Sequence, residues 1–98
     1  PWDTRLTTGG SSAGAAAAAA LNLGVLHLGT DAAGSIRIPC AFCGVFGLKP
    51  SYGRVPAYPP SPFALLSHVG PMTRSVRDAA LMLGIVAAPD TRDVTALV

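Results

Sequence analysis

An α/β fold is predicted for this 98-residue chain by two features of its pattern. Helix-forming and strand-forming stretches alternate along it, and each closes on glycine, proline or aspartate turn residues before the next begins. The length fits one small domain. Pro1 to Thr8 is polar and irregular. Gly9-Gly10-Ser11-Ser12-Ala13-Gly14 is a tight turn that opens onto Ala15–Ala20 and Leu21-Asn22-Leu23. Alanine has the strongest helix propensity, Ser11 or Ser12 supplies a cap, and Gly24 a stop. With small side chains all round, this helix is expected to be buried on every side. Val25–Leu28 reads as a short strand, and Gly29–Ser35 as a second loop of small residues. Ile36–Cys43 is expected to be a short helix with Pro39 in its first turn, where a missing N–H costs little. Gly44–Leu48 is a candidate strand, Lys49–Pro62 a proline-rich loop, and Leu65–Gly70 a brief strand. Ser75-Val76-Arg77-Asp78 has capping-box spacing and starts the last helix. Val76, Ala79, Ala80, Leu83 and Ala87 fall on one of its faces.

The composition narrows the function classes. Half of the residues are hydrophobic and only 12% are charged, with one lysine and no glutamate. Size scaling gives roughly 5,000 Å² of folded surface. Twelve charged residues are few for that area, so the chain reads as a slice of a larger protein. A net charge of +2 from scattered arginines makes no basic patch of the nucleic-acid kind. The apolar stretches break well before 18 residues, so no span crosses a bilayer. The opening Pro-Trp-Asp-Thr-Arg is not a signal peptide. Two cysteines make no disulfide framework, and a reducing, cytoplasmic setting is expected.

Two glycine-bearing loops carry Ser11, Ser12 and Ser35 without bulk around them. A serine nucleophile needs access, and backbone N–H groups must face the oxyanion formed by its attack. Consecutive amides from Ala32, Ala33, Gly34 and Ser35, at a helix start that favours negative charge, suit acyl transfer. Serine also needs a base. His27 and His68 are the local candidates, but each fits packing better than base catalysis. Lys49 precedes Pro50 in a turn and has Phe46, not serine, three residues before it.

The stretches GGSSAGA, GTDAAGSIRIPCAFCGVFGLKPSYGRVP and HVGPMTRSVRDAALML resemble, in order and spacing, the amidase signature family of serine hydrolases. Ser11 and Ser35 are 24 positions apart, as the corresponding serines of the family are. The resemblance implies an α/β fold with a mixed sheet flanked by helices. Residues 1–98 would be the central part of such a domain, incomplete at both ends. It also implies a Ser–cis-Ser–Lys triad, with Ser35 as nucleophile and Ser11, after a cis peptide bond, relaying protons to a lysine. That lysine would lie upstream of residue 1, leaving the isolated segment inactive. The oxyanion hole maps to Ala32, Ala33, Gly34 and Ser35, and Ser12, Asp31 and Arg37 map to supporting positions. Ala33 stands where the family often has glycine, which requires either a negative φ or accepted left-handed strain. The implied reaction converts a carboxamide to a carboxylate plus ammonia or an amine through an acyl-serine, without a cofactor or metal. Transfer of ammonia onto a charged transfer RNA is the variant used by some relatives.

Other readings exist. Gly10-Ser11-Ser12-Ala13-Gly14 fits the G-x-S-x-G elbow, with Ser12 as nucleophile and Asp31 and His68 following in order. The elbow needs an apolar strand before it, and Asp3–Thr8 is polar. A non-catalytic structural segment is the third reading. Cys40-Ala41-Phe42-Cys43 has redox or half-zinc spacing but no second ligand pair, so buried free thiols are expected. The expected partner is a small amide, with no nucleic acid or membrane contact, and the cut-out segment is expected to self-associate through its open edges.

Overall fold

The computed structural model describes residues 1–96. Three helices, α1 (Ala13–Ala20), α2 (Arg37–Cys43) and α3 (Val76–Val86), and three strands, β1 (Leu26–Asp31), β2 (Phe46–Gly47) and β3 (His68–Thr73), follow in the order α1-β1-α2-β2-β3-α3 among these residues. The strand order is β1-β3-β2 and both pairings are antiparallel. The expected α/β class holds, and the three strands that this segment contributes are antiparallel. β1 and β2 run the same way, but β3 lies between them, so no parallel ladder forms. Asp31 at the end of β1 stands opposite His68 at the start of β3.

Several boundaries move from their expected places for local reasons. α1 ends at Ala20 because Asn22 takes the left-handed conformation, φ 59°. The Leu23 N–H reaches back to the Ala18 carbonyl and the Asn22 N–H to that of Ala19. That pair of bonds is a Schellman stop, with asparagine where glycine is usual, so Gly24 lies beyond the stop. Ser12 sits at the N-cap, but its side chain does not cap. The helix is not buried all round. Ala16 and Ala19 are inside, while Gly14 is exposed.

β1 runs on through Gly29-Thr30-Asp31, which reads as loop from its small residues alone. Glycine is required at position 29 by close approach. A Cβ there would lie 2.5 Å from Met72 Sδ and 2.8 Å from Ser12 Oγ. β3 starts later than expected, after a 3-10 turn at Ala64–Leu66, and continues through Pro71 to Thr73. In α3 the Ser75 hydroxyl accepts from the Asp78 N–H at 3.1 Å, as the spacing predicts. The buried face is turned, however. Ala79 and Met82 point inward while Val76 and Ala80 are exposed.

The core is Ala16, Ile36, Cys40, Cys43 and Met72, where α1 and α2 meet the sheet. Outside it Leu23, Val25, Leu81 and Ile85 stay more than half exposed. The total surface is 5977 Å², above the roughly 5,000 Å² that scaling gives. Among the described residues no helix is long and apolar enough to cross a membrane.

Candidate active site

The site is built where β1 runs out into α2. Asp31 is completely buried there, yet it is charged. Its carboxylate accepts the N–H of Gly34 at 2.6 Å, of Ile36 at 3.2 Å and of Arg37 at 3.3 Å. The Arg37 guanidinium closes the cluster with Nε at 2.9 Å and Nη2 at 3.0 Å. The ion pair with Arg37 holds this carboxyl well below the usual carboxylate range, against the opposing effect of burial, and the three backbone amides help. Three main-chain donors and a guanidinium drawn to one carboxylate fold residues 31–37 into a tight loop. Gly34, at φ +106°, takes the left-handed bend that the loop needs. Ala33 has no positive φ, so alanine sits there without backbone strain.

The consequence for the amides is specific. Gly34 turns its N–H inward to Asp31 instead of outward to a developing oxyanion. The amides of Ala32, Ala33 and Ser35 have no hydrogen-bond acceptor among the described residues. Ala32 and Ser35 line a cavity of about 260 Å³, and Ala33 is exposed.

Ser11 lines the same cavity, together with Pro59, Phe63 and Val69 of the following loop and strand. The Gly10–Ser11 peptide is cis. The hydroxyls of Ser11 and Ser35 are uncommitted among the described residues. Ser12 is different. Its hydroxyl donates to the Thr30 carbonyl at 3.3 Å and accepts from the Thr30 N–H at 3.2 Å. Its own N–H donates to the Ser35 carbonyl at 3.2 Å. Ser12 therefore fastens the first loop to β1 and to the second loop, which sets Ser11 and Ser35 on one cavity wall.

The remaining candidates lie elsewhere or are otherwise engaged. His27 Nε2 is 3.4 Å from the Gly24 carbonyl, away from the cavity lining. His68 Nδ1 meets the Asp31 main-chain carbonyl, not its carboxylate, so Ser12, His68 and Asp31 form no relay. Lys49 Nζ donates to the Pro50 carbonyl and is not on the cavity wall. Cys40 and Cys43 are free and buried. Burial, aided by Cys43 beside it, pushes the Cys40 thiol up to about 11, the environment of an inert core thiol. Among the described residues no three His, Cys, Asp or Glu side chains cluster as metal ligands. Two other cavities, around Tyr52 and between Trp2 and Phe42, contain neither Ser11 nor Ser35. The part that sequence reasoning missed is the engagement of His68, because its partners are main-chain carbonyls that leave no mark in sequence.

Comparison with known proteins gives one consistent answer. The family described as Amidase matches residues 1–98. A glutamyl-tRNA(Gln) amidotransferase subunit from Thermus thermophilus is 53% identical over 98 residues, 99% of this chain and 21% of that protein. The solved structure of a 6-aminohexanoate cyclic dimer hydrolase with its substrate superimposes with a TM-score of 0.91 at 41% identity, over 98% of this chain and 21% of that one. A bacterial aryl acylamidase superimposes at 0.80 and 45% identity, over 92% of this chain and 19% of that one. The chain thus spans about a fifth of the length of the relatives it matches.

Proposed function

This chain belongs to the amidase family, and from that premise we propose that it carries the acyl-transfer centre of an amide hydrolase, with Ser35 as nucleophile. The observation that carries this reading is the shared cavity. Ser11 and Ser35 line it, with free hydroxyls and the Ala32 amide beside them.

Ser35 Oγ attacks the carboxamide carbon and forms the C–O bond of a tetrahedral intermediate. Its proton passes to Ser11 and on to a lysine outside residues 1–98, since Lys49 is turned away. The N–H groups of Ala32, Ala33 and Ser35 receive the oxyanion, and Gly34 acts indirectly by holding the loop through Asp31. The C–N bond then breaks and the proton returns through Ser11 to the leaving nitrogen. Water attacks the acyl-serine by the reverse proton route and releases the carboxylate. Ser12, Asp31 and Arg37 hold this geometry and do no chemistry. The segment alone, without its base, is inactive. Water as the acceptor is favoured by the two structural relatives, a hydrolase and an acylamidase. Ammonia transfer is the second reading, favoured by the amidotransferase relatives.

The test is partitioning. In the full-length protein, hydroxylamine added to amides sharing one acyl group but differing in the leaving amine intercepts a common acyl-enzyme. The ratio of hydroxamate to carboxylate is then the same for every amine. A ratio that changes with the leaving amine contradicts an acyl-enzyme.

A further inference from the structure

We infer that His68 is a positioning residue for the oxyanion hole, acting through the peptide that joins Asp31 to Ala32. The inference rests on the assignment of Ser35 and the Ala32 amide above. His68 opens β3 directly opposite Asp31, the last residue of β1. Its Nδ1 lies 2.8 Å from the Leu66 carbonyl oxygen and 3.2 Å from that of Asp31. Both partners are acceptors only, so Nδ1 carries the proton and donates to the two together. The ring cannot swing freely, because Tyr52 meets it edge to face with centroids 5.9 Å apart at 81°.

What this fixes is a direction. The Asp31 carbonyl and the Ala32 N–H belong to one planar trans peptide, so they point opposite ways. Anchoring the carbonyl on His68 sets the azimuth of the Ala32 N–H, and donation to the carbonyl also polarises that amide. The Asp31 side chain cannot do this, since it gathers the amides of Gly34, Ile36 and Arg37. The same Nδ1–H holds the Leu66 carbonyl at the base of the loop carrying Phe63, another cavity residue. One imidazole thus ties an oxyanion donor to the loop that walls the cavity.

The experiment uses the full-length protein and a fluorophosphonate, whose P=O oxygen takes the place of the substrate carbonyl oxygen, so no substrate need be known. An asparagine side chain can set an N–H where Nδ1 is, a glutamine sets it nearer Nε2, and phenylalanine has none. His68→Asn is expected to be labelled within about threefold of the parent rate. His68→Gln and His68→Phe are expected to be slower by about tenfold or more, the scale of a misplaced donor. Where His68→Phe does not fold, the Asn and Gln pair decides alone. Equal rates for His68→Asn and His68→Gln, or loss of the folded protein in His68→Asn, overturn the inference. Ser35→Ala is run beside them. If it still labels at the parent rate, the assignment of the nucleophile fails. If it is silent while the His68 series is flat, only the role of His68 fails.

Discussion

Ser35→Ala in the full-length protein is expected to lower amide turnover on the order of 10⁴-fold or more while leaving the fold intact. The size follows from what is lost. Without the hydroxyl there is no acyl-enzyme, and only the oxyanion donors and binding remain, which in serine hydrolases is a small residue of the whole. Stability should hardly change, because the half-buried Ser35 hydroxyl has no partner among the described residues to leave behind. On the proposed roles, Ser11→Ala removes the proton relay instead of the nucleophile and is expected to cost about 10²- to 10⁴-fold, the range of general acid–base catalysis. Ser12→Ala breaks the two bonds to Thr30, so its cost falls on loop geometry. Steady-state rates of ammonia release, with thermal unfolding as the control, check all three. Turnover that survives Ser35→Ala and vanishes in Ser12→Ala would revive the G-x-S-x-G elbow.

Replacing Asp31 is expected to have the largest effect on stability. In Asp31→Ala the amides of Gly34, Ile36 and Arg37 lose an acceptor that is itself fully buried. Arg37 is itself 54% exposed, so the freed guanidinium is rehydrated and contributes little to the loss. A cost of about 3–5 kcal/mol is expected, mainly from the stranded backbone donors. Activity falls with it, because the Asp31 carboxylate gathers three amides of the loop that carries Ala32 and Ser35. The effect depends on pH with a definite sign. The folded carboxyl titrates below its unfolded value, so the stabilisation is complete above about pH 4 and is lost as pH falls through the folded value. Chemical denaturation at pH 7 and again near pH 3 checks this. The gap between the parent protein and Asp31→Asn should narrow in acid, and a gap that widens contradicts the assignment.

The legible parts of this chain are those governed by local chemistry. Ser75 and Asp78 announce the start of α3 because a cap is formed by residues three apart. Pro39 in the first turn of α2 is legible in the same local way, whereas the left-handed Gly44 that ends the helix reads from sequence as the start of a strand. The two serine loops are readable because access for a nucleophile demands small residues. Tertiary contact decides the rest. Gly29 and Asp31 have poor strand propensity, yet they extend β1 with Thr30 because Gly70, Val69 and His68 pair with the three and Met72 and Ser12 crowd Gly29. A stripe of alanine tells how closely a neighbour can approach, not whether one is present, so α1 is less buried than its composition suggests. Gly34 stands by position among the residues expected to form the oxyanion hole, and only the 2.6 Å bond from its N–H to Asp31 sets it apart.

The most direct measurement is the site of covalent attachment. Ser11, Ser12 and Ser35 lie in one tryptic peptide, residues 6–37, so the mass of the adduct alone does not distinguish them. Fragmentation of that peptide from fluorophosphonate-treated full-length protein does. The adduct is expected on Ser35, with Ser11 and Ser12 unmodified. An adduct on Ser12, or on a serine outside the peptide, would contradict the account.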